Sequence, residues 1–87
     1  MAFRIKTAAR GRFTVFTLSG RIEKEAIGEL RRLFECQTDY RDIVLDLKGV
    51  GVIDRDVISF FVRCEADGVT LENCTPYIRE WMEREKD

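Results

Sequence analysis

The spacing of apolar positions along this chain switches between a period of about two and a period of about 3.6, and each switch marks an element. Phe3 to Lys6 alternates apolar and basic residues, which predicts a short edge strand. Ala8 to Gly11 reads as a turn. Arg12 to Leu18 is rich in aromatic and β-branched residues, so it reads as a second strand, ended by Ser19-Gly20 and paired with the first as a hairpin. From Glu23 to about Glu35 the period is helical: Ala26, Ile27, Leu30, Leu33 and Phe34 share one stripe, and Glu29, Arg31, Arg32 and Glu35 lie off it. Gln37 to Arg41 is a polar connection. Ile43 to Leu47 is apolar on both faces, as expected for a central parallel strand covered by helices. Asp46 interrupts it and needs hydrogen-bond partners there. A second helix runs from about Arg55 to Ala66 with Ile58, Phe61, Val62 and Cys64, and Gly68 is placed to end it with a left-handed residue. Val69 to Glu72 reads as a last strand. Thr75-Pro76 opens a third helix, whose apolar stripe is Ile78, Trp81 and Met82. The order β-β-α-β-α-β-α predicts one α/β domain over residues 1–87: a small sandwich with a mixed, mostly parallel four-stranded sheet and one antiparallel edge.

Composition narrows the function classes. The 87 residues are 45% hydrophobic and 36% charged, but the charges nearly cancel at −1. A near-neutral chain exerts no global pull on nucleic acid or on an anionic membrane, so neither is expected as a partner. No apolar run approaches the roughly 20 residues of a membrane span, and a soluble cytoplasmic protein is expected. Cys36, Cys64 and Cys74 are odd in number and widely spaced, which suits reduced thiols rather than a disulfide framework. With no histidine, the chain lacks the usual general base near neutral pH, and no metal set is visible. No cofactor is expected.

The densest chemistry lies at Gly49-Val50-Gly51-Val52-Ile53-Asp54-Arg55-Asp56-Val57-Ile58, between the central strand and the second helix. Strand-to-helix corners of α/β sheets are common docking places. Asp54 is placed as the helix N-cap, accepting from the N–H of Asp56 or Val57. Asp56 in the first turn suits the positive end of the helix dipole. The Asp54-x-Asp56 pair could also serve a hard cation, but no lysine-bearing glycine loop accompanies it. Gly49-x-Gly51 lacks a full phosphate-binding fingerprint and reads as a flexible turn.

Leu18-Ser19-Gly20-Arg21-Ile22-Glu23, Ile43 to Val50, Val52 to Ile58 and Gly68-Val69-Thr70-Leu71 together resemble the STAS domain, named for sulfate transporters and anti-sigma factor antagonists. They are similar, in order, to that family's L-x-G-R-L-D, V-V-L-D-L-S-G-V, F-I-D-S-S-G-L and G-x-x-L elements. The resemblance covers Phe13 to Leu71, and the chain is short for the family. It implies a non-enzymatic protein-interaction module, with Asp54, Arg55, Asp56, Val57 and Ile58 as the partner-binding switch loop and a partner such as an anti-sigma factor kinase. It leaves a homodimer open. In such domains the second serine of the loop is phosphorylated. Here Arg55 and Asp56 stand at the two serine positions and Val57 at the glycine. An aspartate carries less charge and fewer acceptor oxygens than a phosphoserine, so a phosphorylation-independent partner module is expected rather than a phosphorylated mimic. The alternative is a nucleotide- or small-molecule-sensing domain of the same fold.

Overall fold

The structure, a computed structural model, describes residues 3–86. Its elements are β1 (Phe3–Arg10), β2 (Phe13–Ile22), α1 (Lys24–Phe34), β3 (Ile43–Ile53), α2 (Arg55–Ala66), β4 (Thr70–Glu72) and α3 (Pro76–Glu85), with a 3₁₀ turn at Tyr40–Asp42 before β3. The four strands lie in the order β1-β2-β3-β4; β1 is antiparallel to β2, and the other neighbours are parallel. This is the element order and the sheet type that the periodicity predicts.

Alternation along the strands sorts their side chains to two faces. Phe16 and Leu18 of β2 and Ile43, Leu45 and Leu47 of β3 are at most 1% exposed. They form one core with Leu30 and Phe34 of α1, Val57, Ile58 and Phe61 of α2, and Ile78 and Met82 of α3. All three helices therefore cover the same face. A sheet whose strand order advances without reversing keeps its successive crossover helices on one side.

The other face corrects the expectation of a strand covered by helices on both sides. Val15 and Val44 alternate with the core residues, point away from it and are still buried. Among the described residues no helix covers them. Arg10 of β1 reaches to Glu72 of β4, with Nη2 2.6 Å from Oε2. By the strand register, its path crosses the row Ala8, Val15, Val44 and Thr70. The aliphatic stem of an arginine can shield apolar surface while its head group stays polar. Asp46 sits on this face and has the partners it needs: the Asn73 amide donates to it at 2.8 Å and the Lys48 N–H at 3.0 Å.

The strands are longer than the apolar runs. Thr7, Ala8 and Ala9, expected in or beside a turn, pair with Phe16, Val15 and Thr14, and the turn narrows to Gly11-Arg12. β2 and β3 run on as a pair to Ile22 and Ile53, so Gly49-x-Gly51 is strand and not the expected flexible turn. Gly49 faces a register shift between Thr17 and Ser19. A Cβ added at Gly49 would lie 2.7 Å from the Ser19 Cβ, so the close approach of the two strands requires glycine there. α2 ends as predicted. Gly68 has φ +108°, and the N–H groups of Gly68 and Val69 donate to Glu65 and Cys64 carbonyls at 3.1 and 3.0 Å, closing the last turn.

Candidate functional site

Because Ile22 and Ile53 are register partners, the chains leaving β2 and β3 enter α1 and α2 side by side. Two positive helix ends thus meet at one edge of the sheet. Asp54 lies between them. Its Oδ1 accepts the Val57 N–H at 3.0 Å, the N-cap bond expected from the sequence. Its Oδ2 accepts the N–H of Lys24, the first residue of α1, at 3.1 Å. Glu23, the N-cap residue of α1, makes no side-chain cap bond. One carboxylate therefore caps two helices and takes the place where an anion would otherwise be drawn.

The five corner residues divide by exposure. Val57 and Ile58 are both 0% exposed and belong to the core, so neither can touch a partner. Asp54 is half-buried and committed to the caps. Arg55 is exposed, and its Nε donates to Glu85 of α3 at 3.2 Å. The Ser59 hydroxyl, one turn on, donates to the same Glu85 oxygen at 3.4 Å. Asp56 is exposed and forms no side-chain hydrogen bond or ion pair among the described residues. The corner presents one unengaged carboxylate beside one tethered guanidinium.

The two flanks of α2 differ. On the α3 side, polar ties close the seam: Arg55 and Ser59 to Glu85, and Arg79 to Glu65 through two bonds of 2.8 and 2.9 Å. On the α1 side the surface opens from Asp56 into a cleft. Its near half, about 260 Å³, is lined by Ile27, Arg31, Asp56, Ser59, Phe60 and Arg63. Its far half, about 300 Å³, shares Arg31, Phe60 and Arg63 and continues to Tyr40 and Asp67. Phe60 forms the floor; its ring stacks on Phe34 at 6.1 Å, and the Arg31 guanidinium lies 5.7 Å from its centre. Cys64 borders the far half as a buried thiol, and burial pushes its pKa up to about 12, which keeps it protonated and unreactive.

Phe60 and Arg63 are absent from the sequence reading, and Arg31 enters it only as a polar residue off the first helix's apolar stripe, although a signal exists. Asp56, Phe60, Arg63 and Asp67 fall at i, i+4, i+7 and i+11, one stripe of α2, and Ile27 and Arg31 are a matching i, i+4 pair on α1. The second bond of Asp54 has no such signal, because Lys24 lies thirty positions away.

Among the described residues no group of three or more histidine, cysteine, aspartate or glutamate side chains could hold a metal ion. No helix among them is long and apolar enough to cross a membrane. The strand order has no reversal, so the sheet lacks the crevice in which doubly wound α/β folds bind ligands. No family model and no curated protein matches this chain.

Proposed function

We propose that this protein is a non-enzymatic regulatory module, similar to anti-sigma factor antagonists, that docks a protein partner at the corner where α2 begins. Asp56 and Arg55 make the contact, and no serine phosphorylation at that loop is involved. The observation that carries this reading is the division of labour in the Asp54-Arg55-Asp56 run. Asp54 fastens α2 to α1 and Glu85 fastens Arg55 to α3, while exposed Asp56 has no hydrogen-bond or ion-pair partner among the described residues. A fixed, exposed charge at a rigid corner suits recognition, because docking then orders little that was mobile. Val57 and Ile58 serve the reading as the core anchors that hold this geometry.

Purified protein carrying an affinity tag, mixed with each anti-sigma factor kinase of the host, tests the proposal. Wild type is expected to retain one of them, and Asp56→Lys to lose it through charge reversal. Asp56→Ser is expected to make binding sensitive to ATP, since it restores a hydroxyl that a kinase can modify. Retention of no kinase by wild type or by Asp56→Ser would reject partner switching as the function.

A further inference from the structure

The cleft between α1 and α2 has a charge pattern that specifies an occupant. Arg31 of α1 and Arg63 of α2 both line its near and far halves, and the Arg31 guanidinium lies 5.7 Å from the centre of the Phe60 ring. Neither arginine forms an ion pair among the described residues. Carboxylates stand only at the ends, Asp56 at one and Glu35 and Asp67 at the other. The cleft is thus cationic in the middle, acidic at both mouths and aromatic underneath, with Phe60 continued by Phe34 and Tyr40. Guanidinium groups over an aromatic floor favour a planar anion with an apolar neighbour.

The charge of that anion is also constrained. Arg31 and Arg63 lie in the last turns of α1 and α2, where the helix dipoles are negative. A polyphosphate would be repelled by those carbonyl ends and by the carboxylates at the mouths. A single carboxylate is not penalised in the same measure. The α3 flank of α2 is unavailable, because the ties to α3 close it.

We propose that this cleft receives an extended or helical segment of the partner protein in which one glutamate or aspartate lies next to a large apolar residue. The carboxylate sits between Arg31 and Arg63, and the apolar side chain covers Phe60 and Tyr40. The inference rests on the partner-docking reading and extends it from the corner down the α1 flank of α2. Asp56 then guards the entrance, turning away segments with a second carboxylate at that end and accepting a basic one.

Panning a random dodecapeptide library on phage against the whole protein tests this independently of any host kinase. Enriched peptides are expected to share a Glu or Asp beside Phe, Trp or Leu. A synthetic copy is expected to bind the Arg31→Gln/Arg63→Gln protein at least about tenfold more weakly than wild type, as truncating one side of a shielded charge contact does. Arg4→Gln, on the β1 strand far from the cleft, is expected to leave binding unchanged. Amide shifts of residues in the cleft, Arg31, Phe60 and Arg63 among them, are expected to move on titration. No enrichment, a consensus without a carboxylate, or undiminished binding by the double arginine variant overturns the proposal. Loss on Asp56→Lys with full retention on Arg31→Gln/Arg63→Gln also overturns it, while leaving the corner reading intact.

Discussion

Asp54 accepts one N–H from each of two helices, at 3.0 and 3.1 Å, and so joins α1 to α2 through a single side chain. An N-cap is worth about 0.5–2 kcal/mol, so Asp54→Ala should lower the free energy of unfolding by about 1–3 kcal/mol. Asp54→Asn should lose roughly half as much, because the amide has only one acceptor oxygen. Urea unfolding measures both, and an Asp54→Ala protein as stable as wild type would contradict the double cap. The same comparison separates structure from function at the corner. Asp56 caps nothing, so Asp56→Ala should leave stability within about 0.5 kcal/mol of wild type while it impairs partner retention. The cap on α2 was legible in the sequence, because Asp54 and Val57 are three positions apart and a cap is a local motif. The cap on α1 was not.

The elements repeat this contrast. α2 starts and stops, and α3 starts, where the sequence places them: Thr75 accepts the Ile78 N–H, Pro76 occupies the first helical position, and Gly68 closes α2. Each signal acts within one turn of the chain, which is why it is readable. The strands overrun their apolar runs because backbone pairing needs a neighbour and not an apolar side chain. Thr7, Ala8 and Ala9 join β1 by pairing with β2, and Gly49 to Ile53 join β3 in the same way. Gly49 therefore has a role that its resemblance to a turn residue hides. Gly49→Ala would force a Cβ to within 2.7 Å of Ser19 and 3.2 Å of the Leu18 carbonyl oxygen, and should cost about 1–3 kcal/mol. Adding Ser19→Gly removes the closer contact and should recover part of that loss, so a double-mutant cycle from thermal melts should show clear coupling. Additive losses would mean that the strands are not held together at this point.

For the molecule as a whole, the two faces of the sheet rest on different physics. The helix face is closed by apolar packing, and the opposite face is crossed by the Arg10–Glu72 pair beside the Asp46–Asn73 contact. The second device responds to pH. The Asn73 amide, followed by the Lys48 N–H, holds the Asp46 carboxyl below the ordinary value of 3.8. Arg41 lowers Asp39, and Lys86 lowers Glu83. A lowered carboxylate stabilises the fold above its unfolded value, and that contribution is lost as pH falls through the lowered one. Melting temperature should therefore hold steady above about pH 5 and decline below about pH 4. Asn73→Gly, which tolerates the φ of +56° at that position, removes the largest cause at Asp46 and should flatten the acid decline. An acid limb identical to that of wild type would show that the amide contributes nothing.

Periodicity and local punctuation in the sequence determined the element order, the mixed sheet, the helix ends and the first bond of Asp54, because each depends on neighbours within a few positions. Only the tertiary structure decided that all three helices share one face, that Arg10 crosses the other, that Asp54 caps a second helix, and that Arg31 and Arg63 line one cleft with Phe60. Those arrangements join residues brought together by strand register and helix packing, and the spacing along the chain carries no trace of that register until the sheet has formed.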